Sequence, residues 1–236
     1  ISTRPEPFCS VICNENELIE KFNVHLYPIT LNDLMVKMAE IEKSKPDELI
    51  ETIEFIKSID SGNLPEKIVK VASLKVAMKE LAKQYNCRAI AIQCWTALQD
   101  LAGIMPCFAN SMLTDEGLPT VCETDIHGAI TAIMTGALNF GKESVFFADV
   151  TVRHPENDNA ELLWHCGNFP YSLAKNQESA KVGCSKYHDN NYGISEWELK
   201  SGDLTLVRFD GDHGKYQLFI GECTTTDGPK NVGSYV

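Results

Sequence analysis

The sequence predicts an α/β protein: a doubly wound, Rossmann-like sheet over residues 1–154, followed by a β-rich part over 155–236. Three observations carry that expectation. Apolar runs alternate with helical periodicity through the first 150 residues. The run Arg88–Trp95 is continuously apolar, as in strands buried on both faces of a parallel sheet. After Asp149 the helical period gives way to short strand-like runs between polar turns.

Taken in order, Cys9–Cys13 reads as a short strand, and Asn14 with Glu17 as a capping pair for a helix through Phe22. Val24–Ile29 reads as a second strand. Thr30 or Asn32 opens a helix to about Glu42, with Leu31, Leu34, Met35 and Met38 on one face. An acidic helix follows Pro46 and is broken by Ser61-Gly62-Asn63. The longest helix spans about 65–85, its inner stripe made by Ile68, Val71, Ala72, Leu74, Ala77, Met78 and Leu81. Then come the strand Arg88–Trp95, a helix at 106–113, a strand at 119–122, a helix at 128–139 and a strand at 144–150. In the second part, strands are expected at Leu162–Gly167, Gly183–Lys186, Trp197–Lys200, Asp203–Phe209 and Tyr216–Cys223. Asp210–Gly214 forms a hairpin loop, and the whole is a barrel or sandwich.

Composition narrows the function. The chain has 236 residues, 44% of them hydrophobic, and a formal charge of −12 from 33 acids against 21 Lys and Arg. That field opposes a phosphate backbone and suits a divalent cation or a neutral polyol, so no nucleic-acid partner is expected. Nine cysteines, an odd number with no C-x-x-C pair, fit a reducing cytoplasm better than a disulfide framework. No run of 18 apolar residues marks a membrane span. The chain opens at Ile1 without Met, and it reads as a piece of a longer polypeptide.

The most informative stretch is 106–128, where the β-prone Thr120-Val121-Cys122 delivers Glu123 and Asp125 directly into a helix. Carboxylates at a strand-to-helix junction sit where open α/β sheets place their chemistry. Asp125 reads equally as the N-cap of that helix. His165, beside Trp164, reads as a ligand or as a core histidine. Cys107 and Cys122 read as packing thiols or as reactive ones, and Asp149 as a turn or a site residue. Of the other histidines (25, 127, 154, 188, 213), only His127 lies near the acids; none has ligand spacing.

Arg4-Pro5-Glu6-Pro7-Phe8, Cys94-Trp95, Pro106-Cys107, Cys122-Glu123-Thr124-Asp125-Ile126-His127-Gly128, Phe147-Ala148-Asp149 and Trp164-His165-Cys166-Gly167-Asn168 follow in series. This series resembles the L-fucose/L-arabinose isomerase family, in its uncharacterised sugar-isomerase-like branch. The resemblance covers the second α/β domain and part of the C-terminal β domain. It implies interconversion of an aldose and a ketose through an enediol, with a divalent metal, manganese in most members. It also implies a sugar substrate and a homo-oligomer with sites near subunit interfaces. By the same resemblance, Asp125 and His165 are metal ligands, Glu123 is a catalytic acid, and Trp95, His127 and Asn168 face substrate. The family's first carboxylate has Cys107 as its nearest counterpart here, in a catalytic position, and the family's last histidine lies beyond Val236. Two other readings stay open: a relative with altered chemistry, such as a metal-assisted lyase on a sugar or sugar acid, and a non-catalytic carbohydrate-binding domain.

Overall fold

The computed structural model describes residues 1–186 and 191–236; His188 lies outside the described residues. Helices are formed where sequence signals were strongest. Asn14 caps α1 (Glu15–Phe22) by accepting from the Glu17 amide. Thr30 and Asp33 close a reciprocal capping box at α2 (Leu31–Ser44). Pro46 precedes α3 (Asp47–Ser58), and Pro65 starts α4 (Pro65–Gln84). The inner stripe of α4 is buried from Ile68 to Leu81 and packs against α2 and α3. Lys75 is buried on that helix too. It is tolerated because Glu48 and Glu116 take its ammonium at 2.6 and 2.7 Å, joining α3, α4 and the end of α6.

The strands depart from expectation. Cys9–Val11 is a turn of 3₁₀ helix, and 24–29 is irregular chain outside any ladder, with Ile29 O accepting from the Ser2 amide. Only Ile90–Ala91 (β1) of the apolar run 88–95 enters a ladder, parallel to Thr120–Val121 (β2). The parallel sheet is therefore two-stranded, not the wide doubly wound sheet expected. Between β1 and β2 lie α5 (Ala97–Ala102), which periodicity did not reveal, and α6 (Cys107–Asp115). Helix α7 (Ile126–Leu138) follows β2 directly.

The expected strand at 144–150 begins only at Asp149 and pairs antiparallel in a different sheet. There β3 (Asp149–Arg153), β4 (Glu161–His165), β9 (Ser234–Tyr235), β6 (Tyr192–Glu198) and β5 (Lys181–Cys184) lie side by side. All neighbours are antiparallel except β6–β9. A separate ribbon joins β7 (Asp203–Asp212) to β8 (Lys215–Thr224) through His213-Gly214, so the hairpin tip falls inside the expected loop. Neither barrel closure nor a wide parallel sheet occurs among the described residues; the architecture is helices with mixed sheets. One apolar core runs from Ile29 and Leu34 through α4 and α6 to Phe169, Tyr192 and Leu199.

Candidate active site

The chain leaves β2 and turns sharply. Glu123 and Thr124 both adopt left-handed backbone, with φ of 55° and 56°, a costly choice for non-glycine residues and more so for β-branched Thr. The turn is over-determined by its bonds. The Thr124 amide donates to Ile92 O, its hydroxyl to Thr3 O, and the Asp125 amide to Cys122 O. Asp125 then caps α7, accepting from the Gly128 amide at 2.9 Å. Residue 128 must be glycine: a Cβ there would lie 2.5 Å from Asp125 Oδ2 and 2.8 Å from the Phe147 ring.

This turn sends the two carboxylates of the motif into different surroundings. Glu123 points into a pocket of soft groups. Cys94 Sγ donates to its Oε1 at 3.5 Å, and His165 Nε2 lies 3.9 Å from the same oxygen. Burial is the main force on the Glu123 carboxyl and pushes it up to about 7; His165 opposes the shift, while Cys166 and Asp149 add to it. Burial alone would depress His165. Cys166, Glu123 and Asp149 outweigh it, so the imidazole is held above its ordinary value. Around this pair stand four thiols. Cys107 and Cys166 are 3.5 Å apart, Cys166 is 3.4 Å from His165 Nδ1, and Cys94 and Cys122 join Glu123 in one cluster whose donor atoms lie within 4.8 Å. The Cys107 thiol is fully buried, and the Cys166 contact together with burial holds it protonated.

Asp125 is elsewhere. It is buried, and its Oδ2 accepts from the Arg208 guanidinium on β7. Arg208 also reaches Asp210, 3.5 Å from its Nε, and Asp210 Oδ1 sits 3.0 Å from the buried His127 Nδ1. His127 packs edge-on against Phe209 and Tyr216. The structure thus brings Glu123, His165 and Cys107 into one neighbourhood, and Asp125 and His127 into another. Asn168 is buried and donates to Thr120 O and Cys122 Sγ, so it braces the thiols from behind. Trp95 lies partly exposed, edge-to-face with Phe8 at 5.9 Å. A surface hollow of about 840 Å³ reaches Asn168, Gly128 and Arg208 but is not lined by Glu123 or His165.

Manganese prefers oxygen donors. Here both Asp125 oxygens are engaged, one by an amide and one by Arg208, and the groups closest to Glu123 and His165 are sulfur. The residues present do not by themselves form an oxygen-rich manganese shell.

Sequence reasoning missed Cys94 and Cys166 as neighbours of Glu123, Asn110 as a donor to Cys122, and Arg208 as the partner of Asp125. Cys94 and Cys166 lay inside quoted motifs, which was the available signal. Arg208 had none, because its role depends on where the β7–β8 ribbon docks.

No protein-family model matches the chain. It is similar to curated proteins named sulfoquinovose isomerase. One from Alkalicoccus urumqiensis is 28% identical over 231 residues, covering 98% of this chain and 51% of that protein. One from Priestia aryabhattai is 28% identical over 218 residues, covering 92% and 48%. One from Clostridium sp. (strain MSTE9) is 25% identical over 169 residues, covering 72% and 37%. The chain spans about half the length of the first two relatives. The similarity is to sugar isomerases; these relatives do not carry the L-fucose or L-arabinose name. No described helix is long and apolar enough to cross a membrane.

Proposed function

We propose that this chain is part of an aldose–ketose isomerase of carbohydrate metabolism, and that sulfoquinovose, an aldose bearing a sulfonate, is its first substrate to test. The observation that carries this reading is Glu123: a buried carboxyl drawn up to about 7, facing His165 at 3.9 Å, at the end of a parallel strand pair. Similarity to sulfoquinovose isomerases along nearly the whole chain supports it.

An aldose–ketose exchange moves one proton between C1 and C2 and a second between the two oxygens. A carboxyl poised near neutrality is matched to both directions, since it takes and returns a proton at little cost. Glu123 is that group. His165 fixes the negative form of Glu123 when the proton is held on substrate, because an imidazole kept charged stabilises a carboxylate at this distance. Cys107, protonated and enclosed, is given no proton-transfer role and packs behind His165 through Cys166. Trp95, partly exposed beside Cys94, offers an apolar face to a sugar ring.

A divalent cation, when bound, polarises the carbonyl and the adjacent hydroxyl. Manganese as that cation needs oxygen donors from outside these residues. The L-fucose/L-arabinose type, a homo-oligomeric assembly and a cytoplasmic setting belong to the same proposal.

The test is to incubate the intact protein with sulfoquinovose in deuterated water and follow ketose formation and label at C1 of the ketose by NMR. Formation of labelled product that disappears in Glu123→Gln supports the reading. Absence of turnover with sulfoquinovose, L-fucose and L-arabinose overturns it.

A further inference from the structure

We propose that Cys94, Cys122 and Glu123 form a binding site for a thiophilic divalent cation of the zinc class, with water in the fourth position. The inference goes beyond the isomerase reading and does not depend on it.

The donor set comes first. Two sulfurs and one carboxylate oxygen lie within 4.8 Å of one another, and His165 Nε2 is 3.9 Å from that oxygen. Zinc bonds of about 2.0–2.3 Å place donors roughly 3–4 Å apart around one ion, so the cluster needs to contract by about 1 Å. Two thiolates and a carboxylate suit zinc or cobalt, and they suit manganese poorly.

The second observation is independent of spacing. Cys122 is fully buried and meets two side-chain amides, Asn110 Nδ2 and Asn168 Nδ2, each 3.5 Å from its sulfur. Both asparagines are themselves buried, and the Oδ1 atoms of both have no partner among the described residues. Both amides donate to the sulfur, and N–H donors aimed at sulfur are the usual outer support of a metal-bound cysteine. Cys94 is placed alike, since the Glu123 backbone N–H points at its sulfur from 3.4 Å.

Binding is a proton exchange without redox change. The Cys94 and Cys122 thiols, and the Glu123 carboxyl where it is protonated, each lose a proton to solvent, while two sulfur–metal bonds and one oxygen–metal bond replace three of the ion's bound waters.

The test is titration of Co²⁺ into the intact, reduced, metal-free protein, read by ultraviolet–visible absorption. The expected result is a near-ultraviolet sulfur-to-cobalt charge-transfer band with intense visible bands of tetrahedral cobalt. Zn²⁺ displaces these signals at one equivalent, and Mn²⁺ at the same concentration does not. The charge-transfer band falls in Cys94→Ser and Cys122→Ser and persists in Cys9→Ser, whose thiol is exposed and not among the cluster's donors. Cobalt binding without a sulfur band, no cobalt binding, or displacement by Mn²⁺ overturns the proposal in the unaltered protein, whether or not the buried variants fold. Loss of the band in Cys9→Ser overturns it as well. Failure of the isomerase reading appears in sugar turnover, a different assay.

Discussion

Glu123 and Asp125 are separated by one residue, yet the molecule treats them in opposite ways. Glu123 loses water, which outweighs the opposing His165 and holds its proton to near neutrality. Asp125 loses water too, but its two oxygens are taken by a helix N-terminal amide and a guanidinium. The first arrangement suits proton transfer or metal binding, and the second suits anchoring. The left-handed turn at 123–124 lies between the two residues and gives each its own set of partners. Spacing in a motif is therefore a poor guide to shared chemistry wherever the backbone reverses between its members.

The comparison breaks most clearly at Glu123. Glu123→Gln is expected to lower turnover of the proposed substrate by roughly 10²–10⁴, the usual worth of a positioned acid–base group, with the fold retained because the volume is unchanged. Steady-state kinetics beside a thermal melt checks this. If turnover survives, Glu123 is no more functional than Asp125.

Removing the partner of Asp125 should act on stability instead. Arg208→Met leaves a buried carboxylate without its countercharge and is expected to cost about 3 kcal/mol. Asp125→Asn keeps the helix cap and leaves the charge on the more exposed Arg208, so its cost should be nearer ~1 kcal/mol. Denaturant unfolding of both variants measures the difference, and equal costs would count against this account of the pair.

Glu123 also carries a pH response. The folded Glu123 value lies above the unfolded one, so the folded state binds the extra proton between about pH 4.5 and 7. Its contribution to stability is full below that window and is lost as pH rises through it, by about 3 kcal/mol for a shift of about 2.5 pH units. Metal-free protein unfolded at several pH values should show this slope, and Glu123→Gln should flatten it.

The smallest effect concerns the turn. Thr124→Gly relieves a left-handed β-branched residue but removes the hydroxyl bond to Thr3, so the net change is expected within about 1 kcal/mol of zero. A loss well beyond that would show that the hydroxyl, not the backbone, holds the turn.

Much of the helical frame was legible. Asn14, Thr30 and Pro65 mark helix starts by local hydrogen bonding and fixed φ, which need no distant partner. Helix α5 was not legible, because six residues are too few to show a period. Strands were read less well for a related reason. An apolar run records that residues are buried, not that they pair, and of 88–95 only Ile90 to Ile92 bond along β2, with Ile90 and Ala91 in register. Of the site, the importance of residues 122–125 was legible from charge placed after an apolar strand. The grouping was not.

What the sequence determined by itself is therefore local: where helices begin, which faces are apolar, that Asp125 stands at a helix start, and that sulfur is abundant. These follow from interactions spanning about one helical turn. Only the tertiary structure decided that Cys94, Cys107, Cys122 and Cys166 converge on Glu123 and His165 from four separate segments. It alone decided that Arg208, 83 residues away in the chain, neutralises Asp125. Contacts at such separations depend on how the sheets and the ribbon dock. Docking is set by the summed burial of a core that runs through most of the molecule, and no single motif encodes that sum.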